Sequence, residues 1–403
     1  MDKVLDMGEL FVSDFVKEQP TDRKKYSLDL YLDKDIKAVR LHPNSLSPGH
    51  TRWHRSGDNI RIQSDMAALV QEITSYVEVY ATDVWLDIGC NKTTLLSNVD
   101  KTLTRIAIDP DLDPVKTQEQ GILALNHFTR EGFFKASQNK KARVITCVNT
   151  FPCIDDPVSL IADLWKCLDD DGIIVLEMVY APGMVKQVAF DNICHENIYY
   201  YDMNSIGEMT AKQGLRLVDA SFNTNNGGSF RLYLQKTIAN VRSFGATHLQ
   251  RNVCDMRVMT MLIFEEWFDV TSVKFWQEFK HDLKMLKEAV LNYVQQAIKD
   301  GKTVYGYGTG TRANTMLQYL GLTKHQISAL VDPSANHVGL HTIGTDIPVI
   351  SEDAMRANPP DYLLVMPWYC VDTLLQREEQ FLKDGGKLLV PLPVFDVIGI
   401  TTP

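Results

Sequence analysis

The sequence predicts an α/β protein with two Rossmann-like, doubly wound domains and a small irregular N-terminal lobe. Short apolar runs alternate with amphipathic segments in two separate series, which is the pattern of buried parallel strands separated by helices. A glycine-rich loop follows the first strand of each series. The predicted strands lie at 84–88, 105–108, 144–146 and 173–176 in the first series, and at 303–307, 327–331, 362–366 and 387–390 in the second.

Length and local composition predict how these elements divide into domains. With 403 residues the chain exceeds the usual size of one domain. Pro20, Pro43 and Pro48 interrupt the first 75 residues, so we expect a loop-rich lobe there. Apolar and aromatic residues recur at helical spacing over 273–298, which predicts a long amphipathic helix whose aromatic stripe serves packing. The predicted parts are an N-terminal lobe at 1–75, a first α/β domain at 76–245, a helical connector at 246–300 and a second α/β domain at 301–403.

The charge of the chain limits its partners. A formal net charge of -10 disfavours nucleic acid, because a protein that binds it needs basic residues to neutralise phosphates. No apolar run is long enough to cross a bilayer, and the first residues lack the pattern of a signal peptide. We therefore expect a cytoplasmic protein that is a monomer or a weak homo-oligomer.

The seven cysteines do not predict a disulfide framework or a metal site. No two of them form a C-x-x-C pair, and they are spread from Cys90 to Cys370. This spacing favours isolated, reduced thiols.

The first glycine loop predicts a nucleoside site. Gly89 ends a buried strand and precedes a helix, where backbone N–H groups are available to a ligand. Asp109 closes the next strand, where an acidic side chain commonly holds the ribose hydroxyls, and Asn149 ends the following strand on the same sheet edge. A full G-x-G-x-x-G is absent, which disfavours a dinucleotide such as the cofactor of a nicotinamide oxidoreductase. S-adenosylmethionine, which has no pyrophosphate, therefore fits better than a dinucleotide, although a lone glycine also occurs in ordinary strand-to-helix turns.

The second glycine loop predicts a phosphate site. Residues 306–315 contain three glycines, hydroxyl side chains and Arg312 at the start of a helix. Backbone donors, the helix dipole and a guanidinium all favour phosphate, so we expect the diphosphate of a substrate here. Asp332 ends the next strand and is placed for a ribose, but a simple turn aspartate before Pro333 explains it nearly as well.

A polar and aromatic segment between the two series predicts an active site. Residues 190–201 contain His195, Glu196 and three consecutive tyrosines, and an Asn-Gly-Gly-Ser-Phe-Arg segment follows at 226–231. These side chains could transfer a proton and stabilise an oxyanion. The alternative is a polar strand edge with packed tyrosines. We discount Cys194 as a nucleophile, because nothing in the sequence indicates a lowered thiol pKa.

Several segments resemble S-adenosylmethionine-dependent sugar C-methyltransferases, in the same order and over nearly the whole chain. They are residues 190–201, 226–231, the Arg-Ser-Gly segment at 55–57 with Asn59, and the C-terminal Gly-Tyr-Gly loop with Pro367 and Trp368. The resemblance implies a small N-terminal lobe that normally binds zinc, a central methyltransferase domain and a C-terminal Rossmann-like domain that helps hold a dTDP-linked keto-deoxysugar. It also implies a reaction in which a proton beside the ketone is removed and the enolate carbon is methylated.

Together, the loops, the polar segment and the resemblance give three sets of candidate residues. The candidate catalytic residues are His195, Glu196, His54, Asn197 and Tyr199. The candidate cofactor-binding residues are Trp53, Asp87, Gly89, Asn91, Asp109, Pro110, Phe128 and Asn149. The candidate substrate-binding residues are Asn226, Gly227, Gly228, Ser229, Arg231, Tyr307, Gly308, Thr309, Thr311, Arg312, Asn314, Asp332 and Trp368.

Two departures from the family concern ligand binding. The chain has no cysteine before Cys90, and His42, His50 and His54 alone are a poor ligand set for structural zinc. We therefore predict no metal site, and elemental analysis that finds one zinc per chain would contradict this. The first glycine loop has Lys92 and Thr93 where relatives tend to have Asp-Gly. Because a β-branched residue resists positive φ, we expect this loop either to take another conformation or to bind the cofactor less tightly.

Two further departures concern the base. The family's active segment reads His-Glu-His, and its second histidine, the expected base, is replaced here by Asn197. An amide cannot act as a base near neutral pH. The chain also has His54 where relatives place a tyrosine. We hypothesise that His54 or His195 takes over proton transfer. Methylation of an oxygen of a similar sugar, and a catalytically silent protein that binds the nucleotide sugar, are the alternatives.

Overall fold

The computed structural model of the protein describes residues 1–43, 60–237 and 248–400. Within these ranges the strands are β1 (Asp2–Leu5), β2 (Glu9–Leu10), β3 (Phe15–Val16), β4 (Tyr26–Ser27), β5 (Leu30–Asp33), β6 (Ala38–Leu41), β7 (Val84–Ile88), β8 (Thr104–Ile108), β9 (Leu123–Leu125), β10 (Ala142–Val148), β11 (Leu168–Val179), β12 (Tyr199–Tyr200), β13 (Leu215–Asn223), β14 (Ser229–Lys236), β15 (Val304–Tyr307), β16 (Ala329–Asp332), β17 (His341–Thr342), β18 (Val349–Ser351), β19 (Tyr362–Val365), β20 (Lys387–Val390) and β21 (Asp396–Ile398).

The helices alternate with these strands in the two predicted series. In the same ranges they are α1 (Ile60–Tyr76), α2 (Pro114–Glu119), α3 (Arg130–Ala136), α4 (Pro157–Cys167), α5 (Ala181–Lys186), α6 (Met203–Ala211), α7 (His248–Glu265), α8 (Val273–Lys299), α9 (Thr311–Leu320), α10 (Glu352–Ala357), α11 (Val371–Arg377) and α12 (Glu379–Lys383). The α/β class predicted from the sequence is confirmed.

The N-terminal residues form more regular structure than the sequence predicted. Strands β1, β5, β6 and β12 form one sheet, in that order, and the pairs β2–β4 and β3–β17 form two small ones. The prediction that residues 1–75 are irregular is therefore wrong in part. Short segments with weak apolar patterns form strands here, because antiparallel pairing satisfies their backbone hydrogen bonds. Helix α1 also begins before residue 75, and its Leu69 and Ile73 pack with Trp85 of β7. The predicted domain boundaries themselves remain predictions.

The central sheet has the strand order β13-β14-β11-β10-β7-β8-β9. Strands β7 to β11 are parallel, whereas β14 pairs antiparallel to both β11 and β13. The chain runs from β7 outward through β8 and β9, and then returns to β10 on the other side of β7. Ligands of such sheets bind where the strand order reverses, which is here the carboxyl end of β7 and β10. Gly89 and Asn149 directly follow these two strand ends.

The C-terminal sheet repeats this arrangement. Its order is β18-β16-β15-β19-β20-β21, with β21 antiparallel to β20 and the other pairings parallel. The strand order reverses between β15 and β19. The loop that begins at Gly308 and the turn at Trp368 therefore lie on the same edge of this sheet.

One hydrophobic core joins the N-terminal and C-terminal sheets. It includes residues of β5, β6 and α8, residues 181–193, and the strands of the C-terminal sheet. Helix α8 was predicted over 273–298, and its buried Trp276, Phe279 and Leu283 belong to this core. The predicted packing role of its aromatic stripe is therefore confirmed. Two further cores cover the two faces of the central sheet.

No helix among the described residues is both long enough and apolar enough to span a membrane.

We expect the buried face of α8 to contribute strongly to stability. Leu283 is 1% exposed, so Leu283→Ala should lower the free energy of unfolding by about 2–5 kcal/mol, because it removes packing and leaves a cavity. Met285 on the same helix is 54% exposed, so Met285→Ala should change it by less than about 0.5 kcal/mol. Chemical denaturation of both variants checks this, and equal effects would contradict the assignment of the buried face.

Candidate functional site

The turn after β7 brings the chain close to the turn after β10. Gly89 has φ +73, and a Cβ atom there would lie 1.8 Å from Thr150 Oγ1. Asn149 also has a positive φ of 56, and its backbone N donates to the carbonyl of Glu177. Only glycine fits at position 89, because both the backbone conformation and the neighbouring side chain exclude a Cβ. The two strand ends therefore form one closely packed edge.

Asp87 is the buried acid of this edge. It is 3% exposed, and Thr146 Oγ1 donates to its Oδ1 at 2.7 Å. Burial raises the pKa of Asp87 to about 7, and the nearby charge of Asp109 adds to this, whereas the Thr146 hydrogen bond opposes it. The charge of Asp87 therefore changes near neutral pH.

Asp109 and Asn91 lie at the end of the neighbouring strand β8. The backbone N of Asn91, at φ +53, donates to Asp109 Oδ2 at 3.0 Å, and that of Asp111 donates to Oδ1 at 3.1 Å. Asp109 is partly exposed, so its oxygens face both the glycine loop and solvent. Pro110 is exposed, while Phe128 is partly buried and packs against the central core. Predicted Trp53 and His54 lie outside the described residues, as do the 55–57 segment and Asn59.

Thr93 adopts the conformation that its side chain was expected to resist. Its φ is +60, its side chain is buried, and its Oγ1 lies 2.8 Å from Gln120 Oε1 and 2.5 Å from the Lys92 carbonyl. These contacts offset the strain of a β-branched residue in this region. The glycine loop thus keeps a left-handed turn at position 93 without a glycine there.

Residues 190–201, the polar segment predicted to form an active site, are called the active segment below. His195 lies in this segment and contacts the N-terminal part of the chain. Its Nε2 is 3.1 Å from the Tyr26 carbonyl, which can only accept, so Nε2 carries the hydrogen and Nδ1 is the basic nitrogen. Burial lowers the pKa of His195 below its usual value. His195 is therefore a neutral imidazole at physiological pH.

Glu196 and Asn197 point in different directions. Thr311 Oγ1, at the start of α9, donates to Glu196 Oε1 at 3.0 Å. Asn197 Nδ2 donates to the Asn192 carbonyl at 3.2 Å, and the Cys153 thiol lies 3.7 Å from its Oδ1. Glu196 thus links the active segment to the C-terminal sheet, whereas Asn197 makes a hydrogen bond within the active segment.

Tyr199 belongs to β12, at the edge of the N-terminal sheet. Its hydroxyl accepts from Arg40 Nη1 at 2.7 Å and lies 3.5 Å from Asp33 Oδ2, and its ring stacks on Tyr201. Burial raises its pKa to about 12. The structure therefore places Tyr199 among N-terminal residues.

The Asn-Gly-Gly loop joins three parts of the molecule. Asn226 has φ +55, and its Nδ2 donates to Asn149 Oδ1 at 3.2 Å. Asn192 of the active segment donates to the Asn226 carbonyl at 3.3 Å. A Cβ atom on Gly227 would lie 2.5 Å from Trp368 Cζ2, so the indole of the C-terminal sheet lies directly on this glycine. The loop therefore contacts the end of β10, the active segment and the C-terminal sheet.

The residues that follow the loop hold strand β14 to the central sheet. Gly228 has φ +128, and Ser229 Oγ donates to the Asn225 carbonyl at 3.0 Å. Arg231 Nε and Nη2 contact Glu177 Oε2 at 2.9 and 2.7 Å, and its Nη1 pairs with Glu72. The guanidinium of Arg231 is thus engaged inside the fold, which does not favour the predicted contact with substrate.

Most residues of the C-terminal glycine loop also have internal partners. The Tyr307 hydroxyl donates to Glu352 Oε1 at 2.5 Å, and Thr309 Oγ1 lies 3.3 Å from His337 Nδ1. A Cβ atom on Gly308, at φ +100, would lie 2.7 Å from Pro367 Cδ. Asp332 accepts from the backbone and hydroxyl of Ser334 and from His337, and these bonds hold its pKa below the usual range. This arrangement favours the turn explanation for Asp332 over a contact with ribose.

Arg312, like Thr311, reaches the active segment from this loop. Its Nε donates to Asp191 Oδ2 at 2.8 Å, and Trp368 Nε1 donates to the same oxygen at 3.2 Å. Arg312 Nη1 is buried without a hydrogen-bond partner among the described residues. Asn314 Nδ2 donates to the Asp14 carbonyl at 3.1 Å, while its buried Oδ1 has no partner in the described part of the chain. Donor and acceptor capacity therefore remains at the start of α9.

The structure brings many of the predicted residues together, and it adds two. Asn149, Asn226, Glu196, Thr311, Arg312 and Trp368 are linked through residues 190–197, whereas Tyr199, Arg231 and Asp332 face other partners. The sequence did not identify Asp191 and Asn192 as functional. In the sequence, their signal was two adjacent polar residues between apolar neighbours. In the structure, both side chains are at most 3% exposed. Among residues 1–43, 60–237 and 248–400, no group of three or more His, Cys, Asp or Glu side chains is placed to hold a metal ion.

Two family models match consecutive parts of the chain. A methyltransferase domain matches residues 60–220, and a C-methyltransferase C-terminal domain matches residues 224–393. A curated relative, the C-methyltransferase NovU of Streptomyces niveus, is 26% identical over 352 residues, which cover 86% of this chain and 80% of the relative. The polar segment at 190–201 thus lies within the first matched region, and the Asn-Gly-Gly loop lies at the start of the second.

Solved structures resemble part of the chain at low identity. An S-adenosylmethionine-dependent methyltransferase from Clostridium acetobutylicum is 14% identical with a TM-score of 0.33, and the match covers 44% of this chain and 92% of that one. Magnesium protoporphyrin IX methyltransferase (ChlM) from Synechocystis with bound SAH is 14% identical with a TM-score of 0.33, covering 45% of this chain and 84% of that one.

We expect the close packing at Gly89 to be required for cofactor binding. Gly89→Ala should weaken binding of S-adenosylhomocysteine at least ~10-fold, because the methyl group collides with Thr150 and strains the turn. Gly301→Ala is the matched control, since Gly301 has φ +70 but nothing within 4 Å of its Cβ position. Calorimetric titration measures both, and unchanged binding by Gly89→Ala would exclude this turn as part of the site.

We also expect cofactor affinity to depend on pH through Asp87. Because its pKa is raised to about 7, the carboxylate gains its charge as the pH increases from 6 to 8. The ionised fraction then increases roughly tenfold, so the affinity for cationic S-adenosylmethionine should increase by up to that factor. Calorimetry at both pH values checks this. Asp87→Asn should remove the pH dependence, and a wild-type affinity that is equal at pH 6 and 8 would contradict it.

Proposed function

Because the chain is an S-adenosylmethionine-dependent methyltransferase of the C-methyltransferase family, we propose that it methylates a carbon atom of a dTDP-linked keto-deoxysugar through an enolate. The observation that carries this proposal is the position of residues 190–197. Asn192 contacts the Asn226 loop, and the Asn226 side chain in turn contacts Asn149 at the end of β10. Asp191 and Glu196 contact the start of α9. A substrate with an anionic end and a reactive sugar would span these two places.

The carboxyl edge of the central sheet fits S-adenosylmethionine. Asp109 presents a partly exposed carboxylate suited to ribose hydroxyls, and the turn at Gly89 lets the backbone approach a ligand. Buried Asp87 supplies negative charge beside a cationic ligand. We assign the cofactor to Asp87, Gly89, Asn91, Asp109 and Asn149. The bound cofactor supplies an electrophilic methyl group.

The start of α9 fits the diphosphate of a nucleotide. Backbone N–H groups at a helix N-terminus and a guanidinium are favourable for phosphate. Arg312 is held on one edge by Asp191 and retains a buried Nη1 without a partner among the described residues. Buried nitrogens without partners are costly, so an anion that accepts from Nη1 would be stabilising.

Within the described part of the chain, His195 is our candidate for the group that accepts the substrate proton. It is neutral, and its Nε2–H is held by Tyr26, which leaves Nδ1 as the acceptor. In the proposed step the C–H bond beside the ketone breaks, the proton moves to Nδ1, and its electron pair forms the enolate. Asn226 Nδ2 has a second hydrogen besides the one it donates to Asn149, and this hydrogen could donate to the enolate oxygen. Both amide hydrogens of Asn192 are engaged by the carbonyls of Ala189 and Asn226. The enolate carbon then becomes the nucleophile.

Asn197 stands where the family has its second histidine, and its amide is engaged with Asn192 and Cys153. It therefore serves structure rather than proton transfer in this proposal. This replacement is also what keeps oxygen methylation as a second candidate, because a hydroxyl that is already aligned needs less help from a base.

The proposed reaction and base are tested by mass spectrometry of dTDP-linked keto-deoxysugars incubated with the enzyme and S-adenosylmethionine. We expect one substrate to gain the mass of one CH₂. His195→Ala should lower kcat at least ~100-fold, because it removes the base, whereas His325→Ala, on an exposed histidine, should not. Since the pKa of His195 is lowered, kcat/KM for the sugar, measured with saturating S-adenosylmethionine, should stay constant around neutrality and decrease only as acid protonates the imidazole.

Two outcomes would contradict these assignments separately. If His54→Ala and His195→Ala both keep wild-type turnover at saturating substrate, neither histidine is the base. If no nucleotide-linked keto-sugar gains mass although S-adenosylmethionine binds, the substrate class is wrong. Analysis of the product distinguishes carbon from oxygen methylation.

A further inference from the structure

Asp191 is a fully buried carboxylate that connects the active segment to the C-terminal sheet. It is 0% exposed and lies in the 3-10 turn Phe190–Asn192. Its Oδ2 accepts from Arg312 Nε at 2.8 Å and from Trp368 Nε1 at 3.2 Å, and Arg312 Nη2 lies 2.5 Å from the same oxygen. A single oxygen therefore orients two side chains from two different loops of that sheet.

These contacts fix the plane of the Arg312 guanidinium. Asp191 holds its Nε and Nη2 edge, and the ring of Tyr369 lies under its face at 4.6 Å from the guanidinium carbon. A guanidinium is planar and binds oxyanions through a rigid set of donors, so its orientation decides where an anion can lie. Nη1, which has no hydrogen-bond partner among the described residues, is thus held in one direction.

The indole that Asp191 holds also packs on the Asn-Gly-Gly loop, beside the end of β10. Trp368, which donates to Asp191, lies on Gly227, where a Cβ atom would be 2.5 Å from its ring. The next residue toward the N-terminus, Asn226, contacts Asn149 at 3.2 Å. Asp191 is therefore linked through Trp368 and this loop to the end of β10.

We propose that Asp191 is a positioning residue that orients Arg312 and Trp368 to receive the nucleoside diphosphate of the substrate. The proposal rests on the proposed function, because it takes the anion at Arg312 to belong to a nucleotide-linked sugar. Asp191 itself does not contact the anion. It acts by holding the guanidinium and the indole in place.

Charge and position predict opposite effects when Asp191 is neutralised. Removal of a negative charge beside Arg312 would by itself strengthen the binding of an anion. Loss of the contacts that orient the guanidinium would weaken it, because small displacements of a binding group are costly. The direction of the change in affinity therefore separates a positioning role from a purely electrostatic one.

The test is calorimetric titration of the whole protein with dTDP and, separately, with S-adenosylhomocysteine. Asp191→Asn keeps the shape of the side chain, and Trp368→Phe removes the indole N–H and part of the ring on Gly227 without a change in charge. We expect each variant to bind dTDP at least ~10-fold more weakly and S-adenosylhomocysteine within about 2-fold of wild type. Asp219→Asn is the matched control, because Asp219 is also a buried carboxylate paired with an arginine, Arg257, but lies on β13.

The outcomes distinguish this inference from the proposed function. If wild type binds dTDP and both variants bind it equally well, or Asp191→Asn binds it more tightly, Asp191 does not position the site. If wild type itself does not bind dTDP, the proposed substrate class fails and this inference fails with it. Unchanged binding of S-adenosylhomocysteine shows that a variant is folded. If Asp191→Asn loses both ligands, Trp368→Phe decides, and wild-type dTDP affinity in that variant overturns the proposal.

Discussion

The contact between Asp191 and Arg312 is the interaction on which the arrangement of the site depends. Asp191 is fully buried and the Arg312 side chain is 19% exposed, so each charge needs the other to offset its loss of hydration. Asp191 comes from the segment between β11 and β12, and Arg312 from the first turn of α9. Their pairing requires that these two parts of the chain meet in one orientation. Trp368 shares the same carboxylate oxygen and makes the orientation more specific.

This constraint explains why the active segment lies where it does. Phe190 and Ile193 belong to the core that joins the N-terminal and C-terminal sheets, and β12 extends the N-terminal sheet beyond β6. The segment is thus attached on both sides, while the Asn226 loop approaches from the central sheet. The segment that carries the buried neutral imidazole of His195 is consequently in contact with the Asn226 loop and with the guanidinium of Arg312. Such fixed polar groups are what proton transfer and oxyanion stabilisation require.

The sequence predicted the α/β elements well where the physical signal was local. Buried parallel strands appear as apolar runs, so 84–88 and 387–390 coincide with β7 and β20. The N-terminal strands were missed because they are two to four residues long and depend on partners such as β12, which is more than 150 residues away.

The individual roles of site residues were harder to predict, because they depend on which partner each side chain finds. Arg231 and Arg312 are the same residue type and were both predicted to bind substrate. Arg231 is paired with Glu177 and Glu72, whereas Arg312 Nη1 has no hydrogen-bond partner among the described residues. Thr93 was expected to resist positive φ, yet it has φ +60 and its hydroxyl contacts Gln120. Gln120 lies at the end of α2, so an expectation based on residue type alone could not include this contact. Asp191 gave little signal because its importance arises only from the approach of α9 and Trp368.

The most direct test of the account is the position of the transferred methyl group. The enzyme would be incubated with a dTDP-linked keto-deoxysugar and S-adenosylmethionine carrying carbon-13 in its methyl group, and the product examined by carbon NMR. The account predicts one labelled methyl group bonded to the ring carbon beside the ketone. A label bonded to oxygen, or no labelled sugar although the enzyme binds both dTDP and the cofactor, would contradict it.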